Sequence, residues 1–142
     1  MIKIQRGFSL VELMIVLSII YVITWIVNPI YTNYSTRAKI AEALTLLAGL
    51  KNPMEKYYHS QNEWPSVVAV GEKNSGHYTS RIVSGEMNDD LFYVEATMKG
   101  DEILGEKQIR MTYEPSTRDW VCTVNDVENP IPSKYLPAYC RD

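Results

Sequence analysis

Glu12 is the one charged side chain in residues 8–28, FSLVELMIVLSIIYVITWIVN, a run of apolar helix formers that begins directly after Gly7 and a leader bearing Lys3 and Arg6. A carboxylate at hydrocarbon depth costs roughly 2.5–3.5 kcal/mol on insertion scales, so it calls for a partner of opposite charge and for a purpose. The chemistry such a group offers is electrostatic pairing. Other reactive side chains carry weaker patterns. His59 and His77 lack H-E-x-x-H or any comparable ligand spacing, and neither G-x-S-x-G nor a P-loop occurs, so no enzyme, metal or cofactor is expected. Asn88-Asp89-Asp90 has oxygen donors but not the spacing of a calcium loop, and reads as a solvated turn. Tyr21, Trp25, Tyr31 and Tyr34 read as packing and interface-anchoring groups in preference to an electron path. Asn33-Tyr34-Ser35 matches a glycosylation sequon but lies beside the membrane boundary, and reads as chance.

The element that must position Glu12 is a helix. At about 1.5 Å per residue the apolar run spans about 30 Å, the thickness of a bilayer core. Lys3 and Arg6 place its start in the cytoplasm and everything after Asn28 on the far side. A cleaved signal peptide fits poorly, because such h-regions run to about 7–15 residues and end at an A-x-A-like site. The nearest triplet here, Ala41-Glu42-Ala43, lies well beyond the run. Cys122 and Cys140 then meet an oxidising compartment, and with neither C-x-x-C nor metal spacing they read as one disulfide. The 142 residues leave room for one head on one stalk. The net charge is -3, more negative still without Lys3 and Arg6, and from Leu91 onward six basic residues face nine acidic ones. This is no generally basic, nucleic-acid-binding composition.

After Pro29 the pattern turns amphipathic: Ile40, Leu44, Leu47, Met54 and Tyr58 recur at helical spacing, with Arg37, Lys39, Glu42 and Lys51 elsewhere. One continuous helix from Phe8 to about His59 is expected, roughly 75 Å long, so its first half must protrude. Pro29 and Pro53 should bend it into an S, with Gly49 easing the second bend. Residues 60–90 read as a long loop with one strand-like piece at 78–83. Strands follow at 91–98, 107–113 and 120–124, separated by turn residues short enough for antiparallel neighbours. The last segment, with Pro130, Pro132 and Pro137, reads as irregular around a short strand at 135–139. The expected class is α+β: a long N-terminal helix, transmembrane then amphipathic, packed on a small antiparallel sheet with a C-terminal disulfide loop.

Gly7-Phe8-Ser9-Leu10-Val11-Glu12 after a short basic leader, then the apolar helix with Pro29, Tyr31 and Tyr34, closely resembles the N-terminus of short-leader type IV pilins. The likeness is closest over residues 1–58. It implies a leader, 1–7, removed by prepilin peptidase between Gly7 and Phe8, followed by methylation of the Phe8 amine. It implies that Phe8 and Glu12 direct assembly, the carboxylate pairing with a neighbouring subunit's Phe8 ammonium. Residues 8–28 would be the transmembrane and polymerisation helix, 29–59 its amphipathic half, and 60–142 the head, with an αβ-loop at 60–90, a sheet at 91–124 and a disulfide loop at 122–140. The expected partners are further copies of the protein itself or other pilins in a helical homo- or hetero-polymer, the inner membrane, the peptidase and the assembly platform, with a host surface or DNA for the fibre. The expected location is the bacterial inner membrane, then the extracellular pilus. One departure stands out: Tyr21, Thr24, Trp25 and Asn28 occupy a stretch where pilins usually carry Gly and Ala, which favours a specialised or minor subunit. Runner-up readings are a minor pilin that binds DNA or acts as an adhesin, a pseudopilin of type II secretion, and a periplasmic binding module on a single-pass anchor.

Overall fold

The computed structural model describes residues 7–88, 91–100 and 102–141. One α-helix, α1 (Leu10–Gln61), is followed by four strands, β1 (Thr79–Asn88), β2 (Leu91–Met98), β3 (Gln108–Glu114) and β4 (Asp119–Thr123). The chain divides into two compact units, one ending at Ser35 and one beginning at Thr36. Helical structure continues through Pro29 and Pro53, so neither proline starts a separate helix.

In the first unit, α1 carries apolar side chains on every side and buries none of them. Phe8 is 81% exposed and even Val16, the most sheltered of the large apolar residues there, is 43% exposed. The hydroxyls in this stretch are satisfied locally: Ser18 and Thr24 donate to the carbonyls of Met14 (2.8 Å) and Ile20 (2.7 Å) one turn back. Such back-bonding lets a polar side chain sit in an apolar stretch without an unmet donor.

The second unit follows the amphipathic pattern. Ile40, Ala43, Leu44, Leu47, Leu50 and Met54 form one buried stripe of α1, and they join the inner face of a four-stranded antiparallel sheet of order β1-β2-β3-β4. Alternation on β2 and β3 supplies that face: Phe92, Val94, Ala96 and Met98, then Ile109, Met111 and Tyr113. An aromatic cluster closes one end, with Trp64 stacked on Phe92 at 4.7 Å and Trp120 donating its indole N–H to Glu55 on the helix. Burial, and then the Glu55 carboxylate, push the Tyr113 phenol above its ordinary value, so it stays neutral in that core. Leu47 is fully buried at the centre of the stripe. Leu47→Ala should cost about 2–5 kcal/mol, read as a lower urea midpoint with an unchanged slope.

Two expectations need correction. The strand-like piece at 78–83 is the first half of a ten-residue strand, so the loop that follows α1 ends at Tyr78 and strand runs on as far as Asn88. β1 hides from pattern reading because it is an edge strand with only Thr79 and Ile82 buried, and because it contains Gly85, over which the Tyr93 ring lies. The strand expected at 135–139 is instead a pair of single 3-10 turns, Ser133–Tyr135 and Ala138–Cys140. Pro132 and Pro137 fix the backbone before each turn, and their carbonyls accept from Tyr135 (3.0 Å) and Cys140 (3.1 Å). Cys140 reaches Cys122 on β4 in a disulfide with a Cα–Cα distance of 4.8 Å.

Candidate assembly site

The start of α1 is built by four consecutive residues. Ser9 stands just before the helix, and its hydroxyl accepts from the Val11 N–H at 3.2 Å. Glu12, three residues on, turns back so that Oε2 accepts from the Ser9 N–H at 2.9 Å. The Ser9 carbonyl accepts the backbone bond from Leu13 at 3.2 Å. This is a variant of the capping box, with the Ser9 hydroxyl on the second helical N–H instead of the third; it satisfies donors that a helix start leaves open, and it sets a negative group at the positive end of the helix dipole.

Glu12 thus has a partner within its own chain. Sequence reasoning missed it, although the signal was legible as Ser9-x-x-Glu12 ahead of an apolar run. A carboxylate has about four lone-pair positions, so one hydrogen bond leaves capacity for a cation. Gly7 and Phe8, immediately upstream, are exposed, and among the described residues other than its chain neighbours nothing lies within 4 Å of where a side chain on Gly7 would begin. Farther along, Leu17, Tyr21, Thr24, Trp25 and Asn28 line a shallow, mostly apolar groove on α1. The site therefore offers an accessible N-terminal segment, a preset carboxylate and an uncovered apolar helix.

Comparison with known proteins adds two family matches. Residues 36–141 match the pilin family, the bacterial filament protein, and residues 2–27 match the prokaryotic N-terminal methylation motif. The chain belongs to the pilin family. Similar pilins include a fimbrial protein of Neisseria meningitidis serogroup A, 31% identical over 97% of this chain and 95% of that one. A type IV major pilin protein of Neisseria gonorrhoeae is 30% identical, covering 97% and 94%. The fimbrial protein EcpC of Eikenella corrodens is 29% identical, covering 99% and 93%. A pilin is a structural protein, not an enzyme; pilins form extracellular filaments, and the apolar helix near this pilin's N-terminus is long enough to cross a membrane before assembly.

The structure brings Gly7, Phe8 and Glu12 together in one short stretch and joins Cys122 to Cys140, while Pro29, Gly49 and Pro53 are spread along α1. His59 is exposed on the helix, and His77 stacks on Tyr78 with ring centres 4.4 Å apart. Tyr21, Trp25, Tyr31 and Tyr34 are all exposed on α1. Of the calcium candidates, Asp89 and Asp90 lie outside the described residues.

Proposed function

We propose that this pilin is made as a type IV prepilin, matured at Gly7/Phe8, and assembled through residues 8–28 into a surface filament. The observation that carries the reading is the pairing of a preset carboxylate at Glu12 with apolar side chains along residues 8–28 that are exposed among the described residues. Prepilin peptidase on the cytoplasmic side would create a new ammonium at Phe8 and methylate it. That ammonium, on a neighbouring subunit, is the cation Glu12 is placed to receive, and the pair sets the stagger between helices. The apolar surface would pass from lipid to the equally apolar filament centre, so extraction by the assembly platform need not expose it to water. Pro29, with Pro53 and Gly49, would let the helix bend to fit that packing. The head, with the segment after Gln61 and the 122–140 loop, would form the fibre surface for adhesion, motility or DNA uptake. The match to the methylation motif and the gonococcal relative's name support this reading.

A DNA-binding specialisation has less support. Lys39 lies 5.6 Å from the centre of the Tyr78 ring and Lys99 donates to the Gly76 carbonyl, but Glu42 accepts from the Tyr78 N–H at 3.0 Å, so the patch is mixed in charge.

Mass spectrometry of protein purified from its own host tests the proposal. The expected product begins at Phe8 and carries one methyl group, and Gly7→Val should leave the leader attached. A mature chain that still begins at Met1 would overturn it.

A further inference from the structure

Four methionines lie among the described residues of the second unit: Met54, Met87, Met98 and Met111. Met54, Met98 and Met111 are packed into the core, each at most 4% exposed, whereas Met87 is partly exposed near the end of β1. Oxidation of a methionine sulfur follows its access to solvent, so Met87 is the sulfur of this group that an oxidant reaches first.

The outer face of the sheet places a cation against that sulfur. Arg110 on β3 faces Glu95 on β2, and its Nε (3.0 Å) and Nη2 (2.7 Å) both donate to Glu95 Oε2. The two side chains are only 13% and 9% exposed, so the guanidinium is held in one place. Its carbon lies 4.3 Å from the centre of the Tyr93 ring, and that ring in turn covers Gly85 on β1, where any side chain would collide with it. Beyond Gly85, Glu86 faces Phe92 and Asn88 faces Leu91, so Met87 is the extra residue of a bulge, a device that re-aims side chains. The guanidinium thus spans from β3 across β2 to β1, where Nη1 donates to Met87 Sδ at 3.8 Å.

Donor and acceptor are mismatched in that last contact. A thioether sulfur is a weak acceptor, while a guanidinium N–H is a strong, charged donor whose neighbours are already committed to a carboxylate. Oxygen added to the sulfur would turn the weak acceptor into a strong one at the same position. Methionine sulfoxide ordinarily disrupts packing because its polar oxygen finds no donor. Here a fixed donor is already aimed at it.

We propose that Met87 is an oxidation site: a peroxide converts it to the sulfoxide, and Arg110 holds the new oxygen. With hydrogen peroxide, the sulfur lone pair attacks one peroxide oxygen as the O–O bond breaks, and the other oxygen leaves as water with the transferred proton. Sulfur loses the two electrons that the peroxide gains. The modification then ties β1 to β3 by a charge-assisted bond instead of loosening the sheet. Pilins form extracellular filaments, where oxidants meet the chain without the reductants of the cytosol. The proposal is independent of how the helix assembles.

The test is graded hydrogen peroxide on the full-length chain in detergent, followed by peptide mass spectrometry, thermal melts and NMR of the arginine side chains. Met87 should gain one oxygen about tenfold or more faster than Met54, Met98 or Met111. The oxidised parent should keep its midpoint to within about 4 °C or raise it, and the Arg110 guanidinium resonances should move. Met87→Leu, which retains Met14, should leave those resonances unmoved by peroxide. In Glu95→Leu with Arg110→Leu, which leaves neither charge unpaired, oxidation should lower the midpoint by about 4–8 °C, the effect of a polar oxygen left without a donor. Should that double variant not fold, the Arg110 resonances of the parent decide. The proposal is overturned if Met87 oxidises no faster than the core methionines, or if the oxidised parent loses more than about 4 °C. It is equally overturned if the Arg110 resonances stay in place, or if the double variant tolerates oxidation as well as the parent.

Discussion

Glu12→Gln should abolish filaments while leaving the helix start intact. The capping box accepts Gln as well as Glu at its third position, so the bond from the Ser9 N–H survives the substitution and only the charge is lost. Two unit charges about 4 Å apart interact by about 4 kcal/mol at an effective dielectric constant of about 20, and every 1.4 kcal/mol is about tenfold in affinity. In the proposed fibre that contact would recur at every subunit, so pili recovered by shearing should fall by about a hundredfold or more while the subunit still accumulates in the membrane fraction. Glu12→Ala should behave the same way, with an added loss of helix capping of about 0.5–2 kcal/mol. The pair of variants separates two roles of one side chain. Full piliation by Glu12→Gln would mean that Glu12 acts as a cap and not as a charge, and full piliation by Glu12→Ala would remove it from assembly altogether.

Replacing both Cys122 and Cys140 by serine should lower the thermal midpoint of the head by about 12–24 °C. The bridge closes a loop of sequence separation 18, which the chain-entropy model values at about 3 kcal/mol, and in a domain of this size each kcal/mol moves the midpoint by about 4–8 °C. The loss should concentrate where the bridge does most. β4 is an edge strand of five residues, and the segment beyond it is tied back by few bonds, among them the Ile131 N–H to the Gln108 carbonyl (3.3 Å) and the Arg37 guanidinium to the Lys134 carbonyl (2.6 Å). Hydrogen exchange should therefore show early loss of protection at residues 129–140 with the helix stripe still protected. Reducing the parent protein should reproduce both effects. A midpoint unchanged to within about 3 °C, less than the shift from 1 kcal/mol, would show that side-chain packing alone holds the C-terminal segment.

The helix was legible because every signal that specifies it is local. The 8–28 run, the apolar spacing from Ile40 to Met54 and the turn residues between β2, β3 and β4 can each be read within one or two turns of chain. Even the missed partner of Glu12 was a four-residue motif. The head was legible in outline only. Tyr78 to Val83 was strand-like on its face, but the continuation through Ser84, Gly85 and Glu86 forms strand because β2 offers a backbone to pair with and Tyr93 covers the glycine, neither of which lies nearby in sequence. Pro132 and Pro137 bracket a stretch whose tyrosines favour a strand, and the prolines win by fixing the backbone and withholding donors.

By itself, then, the sequence determined an exposed apolar helix with one carboxylate at its capped start, a processing motif ahead of it and a head closed by a disulfide, since composition, period and motif are properties of neighbouring residues. Tertiary structure alone decided which polar residues meet on the outer face of the sheet. Glu95, Arg110 and, beside them, Met87 come from three separate strands, and they converge only because the β1–β2 and β2–β3 registers set them side by side. Register depends on the balance of many long-range contacts, so no window of the chain carries it.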